Sequence, residues 1–170
     1  LATIKTPSTA TVIKAKNLNN QLPRPDFDLT PYQNQAQDII ALADANLSGS
    51  ALNPQRKISY KIFEDLEKKL TSELKITYTN TEDADYINFL KVYTPFGSVL
   101  EKVTNGRDTD LKKVTVKAQN NLSLFATYVE VPQKSTVVVT FTYKIASNLN
   151  IGTSPSYNLL IQKQPGTNKD

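Results

Sequence analysis

Strict alternation is what most constrains this chain. In "LTSELKITYT", Leu70, Leu74, Ile76 and Tyr78 share one parity, while Thr71, Glu73, Lys75 and Thr77 share the other. In "STVVVTFTYKI", Val137, Val139, Phe141, Tyr143 and Ile145 alternate with Thr140, Thr142 and Lys144. Successive side chains of a strand point to opposite faces, so a period of two reads as a half-buried strand with its apolar side inward. Weaker segments repeat the pattern: Ile58, Tyr60 and Ile62; Val114, Val116 and Ala118; Phe125, Val129 and Val131; Tyr157, Leu159 and Ile161. "YINFLKVY" is apolar on both parities, as a central strand covered on both faces would be. Between them lie "NTEDAD", "PFGS", "NGRDTD", "VPQKS" and "SNLNIGTSP", rich in turn formers. Seven short strands with frequent turns predict a mainly β chain, an antiparallel β-sandwich of the immunoglobulin-like kind.

The first residues read differently. Pro7, Pro23 and Pro25 stand among Thr, Asn and Gln, and each Pro removes a backbone donor and pushes its predecessor towards extended backbone. Residues 1–30 are expected to form an extended arm or linker with one short strand at 11–16. In "TPYQNQAQDIIALADANLSG", Thr30 can cap, Pro31 suits a first turn and Gly49 can terminate, while Tyr32, Ala36, Ile39, Ile40 and Ala43 recur at helical spacing. Residues 31–56 are therefore expected to hold one short helix and a connection, and residues 57–170 the sandwich.

Missing residue types remove whole classes of chemistry. Among the 170 residues there is no Cys, His, Met or Trp. Thiolate nucleophiles, disulfides and Cys-based zinc sites are excluded, as is Ser-His-Asp catalysis. The commonest acid-base side chain near neutral pH is gone as well. No cofactor is expected. The net charge of +4 arises from 20 Lys and Arg against 16 Asp and Glu scattered along the chain. In "LKKVTVKAQNN", Lys113 and Lys117 read as a solvated strand face, so nucleic acid is not an expected partner. No apolar run approaches the roughly 18 residues of a membrane span.

The remaining candidates are oxygen-rich turns and one mobile-looking strand. Asn80, Glu82, Asp83 and Asp85 crowd one connection and could form a weak calcium loop, although the Gly and terminal Glu of an EF-hand loop are missing. Asn105-Gly106 reads as a tight-turn pair, with Asp108 and Asp110 following. Glu64, Asp65 and Glu67 supply carboxylates of the type a glycosidase pairs across a sugar, but they crowd the hairpin-like "FEDLEKK". Asn46 and Asn121 each open an "NLS" tripeptide of glycan-acceptor form. In "TATVIKA", Thr11, Val12 and Ile13 form a short β-branched stretch suited to strand exchange with a neighbouring subunit. In the closing "QKQPGT", Pro165 ends strand pairing and Gly166 permits a positive φ, which reads as a structural corner; a polar contact surface at Gln162 and Lys163 is the other reading.

In order along the chain, "ADANLSG", "RKISYKI", "LKITYTN", "YINFLKVYTPFGSVLEKV", "YVEVPQKSTVVVTFTYKI" and "YNLLIQKQPGT" resemble the C-terminal part of bacterial proteins classed as domain of unknown function family 4012. The resemblance covers roughly residues 41–167. Asn46 matches the family's pre-strand Asn, and Arg56 opens its Arg-x-Ile-x-Tyr strand. Asn88, Leu90, Val92 and Tyr93 match the next strand, Pro95, Gly97 and Ser98 its turn, and Gln164, Pro165 and Gly166 the terminal corner. Lys91 departs from a usual Arg, which a two-pronged planar contact would not tolerate. The resemblance implies exported, envelope-associated proteins whose membrane segment lies outside this chain, and it implies no reaction. The resulting expectation is a noncatalytic extracytoplasmic domain at the cell surface, not an enzyme, whose partner is a protein or another copy of itself. The alternative is an enzyme or accessory module acting on envelope polysaccharide, led by Glu64, Glu82 or Asp85.

Overall fold

The computed structural model describes residues 2–5, 12–17, 38–49, 52–64, 69–106, 109–146 and 156–162. Eleven strands are described: β1 (Ala2–Lys5), β2 (Val12–Asn17), β3 (Asp38–Asn46), β4 (Gln55–Glu64), β5 (Leu70–Thr79), β6 (Tyr86–Pro95), β7 (Val99–Asn105), β8 (Thr115–Gln119), β9 (Leu122–Val131), β10 (Thr136–Lys144) and β11 (Ser156–Gln162). A 3-10 turn, Leu111–Lys113, precedes β8. The strands form two sheets packed face to face. Sheet A has the order β1-β4-β5-β10-β7, and sheet B the order β2-β11-β3-β6-β9-β8. The pairs are antiparallel except β1 with β4, β11 with β2 and β11 with β3, which run parallel.

Alternation places the core where the sequence puts it. Leu74, Ile76 and Tyr78 of β5 and Val139, Phe141 and Tyr143 of β10 are closed off in the gap between the sheets. Facing them from sheet B are Ile40, Leu42, Leu90, Val92, Phe125 and Val129. Strand β6 is central in sheet B, with Leu90 and Val92 buried on one face and Tyr93 on the other.

Three expectations change. Over 38–46 the chain is a strand, not a helix. "DIIALADA" carries apolar residues on both faces, Ile40 and Leu42 inward and Ile39 and Ala41 outward, and all four are buried. A continuous apolar run fits either period, and the ladders to β11 and β6 decide for the strand. The sandwich consequently starts before residue 57. Finally, Val116 and Ala118 do not face a covered interior: β8 is the outermost strand of the wider sheet, and both are exposed, while Val114 just before it is buried.

Turns follow local chemistry. Asn120 and Asn121 both take positive φ, 52° and 56°, between the paired Gln119 and Leu122, as the two-residue hairpin loop requires. Gly97 has φ +89° in a turn closed by Ser98 N–H donating to Pro95 O at 3.0 Å, and a Cβ there would meet the Ala146 Cβ at 3.4 Å. At the edge of sheet A, the pairing of β7 with β10 shifts register between Thr142 and Tyr143. Glu101 is the extra residue of this bulge, and both Leu100 and Val103 consequently face the core. Among the described residues no helix is long and apolar enough to cross a membrane.

Candidate functional site

The chemically unusual feature lies on the inward face of β3, which reads Asp38, Ile40, Leu42, Asp44. A carboxylate stands at each end of an apolar step, six positions apart, or about 20 Å at ordinary strand rise. Burying a carboxylate is costly unless it is paired and hydrogen-bonded, and both are.

Asp44 is held from both sheets. Arg56 of β4 reaches across the gap, its Nη1 2.6 Å from Asp44 Oδ2, with side-chain exposures of 2% for Arg56 and 9% for Asp44. Tyr78, the cross-strand neighbour of Arg56 on β5, donates its hydroxyl to Asp44 Oδ1 at 2.6 Å. From within sheet B, the Asn88 amide donates to the same oxygen and lies 3.4 Å from the Tyr78 hydroxyl. The Asn88 carbonyl oxygen is buried without a hydrogen-bond partner. Burial, and then the negative charge of Asp44, push the Tyr78 hydroxyl well above the ordinary tyrosine range, with Arg56 opposing. Tyr86, whose ring lies 6.2 Å from that of Tyr78, is pushed up by the same two causes in the same order.

Asp38 is held by a tyrosine relay. Tyr60 donates to Asp38 Oδ2 at 2.5 Å, and Ile39 N–H donates to Oδ1 at 2.8 Å. With its one proton committed to Asp38, the Tyr60 oxygen accepts from Ser72 Oγ at 2.6 Å and from the Tyr143 hydroxyl at 3.3 Å. Burial, followed by the charge of Asp38, raises Tyr143 well above its ordinary range, while its bonds to Tyr60 and Ser72 lower it. Both clusters therefore bind sheet A to sheet B. Their carboxylates accept several bonds each from the protein and are closed in the intersheet gap, so they act as two polar clamps on the sandwich.

The residues singled out from the sequence fall elsewhere. Glu64 ends β4 opposite Leu70, half-buried; Asp65 and Glu67 lie outside the described residues. In the 80–85 connection the oxygens turn outward or into the chain. Asn80 is buried, its Nδ2 2.8, 3.1 and 3.2 Å from the carbonyls of Ala84, Val131 and Pro132, and its Oδ1 accepts from Glu82 N–H at 3.1 Å. Asp83 pairs with Lys134 at 3.1 Å, Asp85 accepts from Gln133 N–H at 2.8 Å, and Glu82 is exposed. Among the described residues no three Asp or Glu side chains are grouped to hold a metal ion. Asp110 accepts from Lys112 N–H at 3.0 Å as the cap of the 3-10 turn, and Lys113 ends that turn instead of sharing the β8 face with Lys117. Asn46 organises its loop, accepting from Ser48 N–H at 2.8 Å and donating to Leu52 O at 3.1 Å. Val12 and Ile13 pair with Ser156 and Tyr157 of the same chain, while Thr11 lies outside the described residues, as do Asp108, Lys163, Gln164, Pro165 and Gly166. Gln162 is buried with its side-chain oxygen unpartnered.

Asp38, Asp44 and the pairing role of Arg56 were missed by sequence reasoning. The available signal was parity: Arg56 shares the inward phase of Ile58, Tyr60 and Ile62, and Asn88 that of Leu90 and Val92. Comparison of the chain with protein-family models, with curated proteins and with solved structures finds no match.

Proposed function

We propose that this chain is a noncatalytic, extracytoplasmic β-sandwich domain of a bacterial cell-surface protein, serving structural or protein-protein interaction roles. The arrangement of its acids supports this reading more than any other observation. The two buried carboxylates are saturated by Arg56, Tyr78, Asn88 and Tyr60 and stand about 20 Å apart, beyond the roughly 5–10 Å that two cooperating glycosidase carboxylates need. Glu82, Asp83, Asp85, Glu101, Asp110 and Glu130 are exposed on turns and solvent-facing strand positions. The location is supported by the ordered resemblance of residues 41–167 to exported envelope proteins. Self-assembly through the arm is part of the proposal: β2 pairs in parallel with β11, and the same ladder made between copies would be strand exchange.

The purified chain, incubated with cell-wall peptidoglycan and other envelope polysaccharides, is expected to release no reducing ends above buffer. Steady release that scales with protein and is lost on replacing Glu64 or Glu82 would overturn the noncatalytic reading. Deleting residues 1–20 is expected to reduce assembly seen by light scattering; unchanged assembly would remove the arm from the proposal.

A further inference from the structure

The outward face of sheet B is apolar along its length, but only part of it is closed. Towards one end Ile39, Ala41, Tyr93, Leu122 and Leu124 are buried on this outward face. Towards the other end the same face opens to solvent. Three neighbouring rows define the open part. Leu47, whose N–H donates to Ile87 O at 2.8 Å, lies beside Ile87, which is paired with Glu130; Ala45, Phe89 and Tyr128 form the middle row; Ala43, Lys91 and Ala126 form the third, where half-buried Ala43 and Lys91 and buried Ala126 mark the boundary with the closed part. Tyr128 is 65% exposed, Leu47 51% and Ile87 40%. Phe89 and Tyr128 stack at 4.9 Å with their rings tilted by 50°, and the Lys91 ammonium sits 6.0 Å from the Phe89 ring. Large apolar side chains gathered on one exposed surface mark an interaction site more often than scattered ones do.

The charges at its rim select the partner. Lys91 and Glu130 lie on adjacent strands in opposite outer rows, so ladder spacing and strand rise separate them by about 14 Å across the aromatic pair. Among the described residues neither has an ion-pair partner. A two-fold axis lying in this surface, crossing the strands close to the Phe89–Tyr128 row and perpendicular to the line from Lys91 to Glu130, places Lys91 of one copy over Glu130 of the other, and Glu130 over Lys91. An apolar centre flanked by opposite charges that exchange under a two-fold is the pattern of an isologous contact.

We infer that the open face around Phe89 and Tyr128 docks a second copy of this chain, with two reciprocal Lys91–Glu130 pairs fixing its register. The inference rests on the interaction role proposed above but uses no part of β2, so it is independent of the arm. The patch covers on the order of 300 Å², well under the ~800 Å² per partner of a stable complex, so the dimer is weak in dilute solution and favoured where copies are crowded.

Sedimentation equilibrium of the full chain at low salt, up to millimolar concentration, reads the dimer directly. The wild type is expected to show a reversible monomer-dimer equilibrium. Tyr128→Ala should weaken it at least tenfold, and Lys91→Glu and Glu130→Lys should each weaken it by a similar factor. The double variant Lys91→Glu/Glu130→Lys should restore it to within a few fold, which a misfolded protein would not do. These positions are outward, and far-ultraviolet circular dichroism should be unchanged in all of them. A chain that stays monomeric at millimolar concentration, or a double variant no better than the singles, overturns the inference. Loss of envelope-polysaccharide binding in Tyr128→Ala, with the wild type monomeric, also overturns it and assigns the face to glycan. None of these results bears on whether the chain cleaves polysaccharide, so this inference and the noncatalytic reading fail separately.

Discussion

Arg56 carries a positive charge into the gap between the sheets, where Asp44 balances it. Its side chain is 2% exposed and touches the carboxylate at 2.6 Å. A buried pair of this kind is close to neutral against an apolar pair of the same volume, yet removing one partner leaves the other charge stranded. Arg56→Met should therefore lower unfolding free energy by about 3–5 kcal/mol, a large share of the roughly 5–15 kcal/mol that holds a domain together. Adding Asp44→Leu to Arg56→Met should recover most of it. Chemical denaturation of the two variants measures both changes, and a double variant as unstable as the single would show that Asp44 is not what Arg56 serves. Arg56 and Tyr60 sit in the same short motif, and the structure gives each a different acid: one motif spaces the donors for both clamps.

At the scale of elements, the strands that alternate cleanly are the ones the sequence discloses. β5 and β10 pair over their whole length, and their inward parity is the buried one. β3 is illegible for a physical reason: Ile39, Ile40, Ala41 and Leu42 are buried on both sides, and a strand buried on both sides loses its period. The candidate site went with it, because Asp38 and Asp44 acquire meaning only once β3 is a strand facing Arg56 and Tyr60. The 80–85 connection shows the reverse, where a conspicuous acidic cluster is ordinary and the quiet Asn80 does the fastening. Its one amide ties the β5–β6 connection to the β9–β10 turn through Val131 and Pro132. Asn80→Ala, which strands buried carbonyls, should cost about 1–3 kcal/mol. Asp83→Ala removes only a pair with Lys134 in which both side chains are more than half exposed, and should change stability by less than ~1 kcal/mol. Thermal melts of the two variants side by side compare them; equal losses would reassign the connection to its acids.

For the whole molecule, the phenols in the intersheet gap make the fold sensitive to alkali. Tyr78 and Tyr143 ionise well above the ordinary value in the folded chain, through burial first and the charges of Asp44 and Asp38 second. Tyr93, buried on the outward face of sheet B instead of in the gap, is also raised by burial. A raised folded-state value means the native chain holds its protons longer than the unfolded chain, whose tyrosines titrate near about pH 10. Their contribution is complete below that value and declines as pH climbs above it, by about 1.4 kcal/mol per pH unit for each such group. Tyrosinate absorbance followed together with circular dichroism should show these phenols ionising only as the strands are lost. Ionisation of all eight tyrosines while the fold persists would contradict it.

Strand β2 and strand β11 lie side by side and point the same way. A stretching force that enters at the start of β2 and leaves at the end of β11 therefore pulls along the ladder between them, not across it. Rungs loaded lengthwise share the tension and must give way together, whereas a zipper opened from one end yields a rung at a time. The geometry makes that seam resist extension along its length.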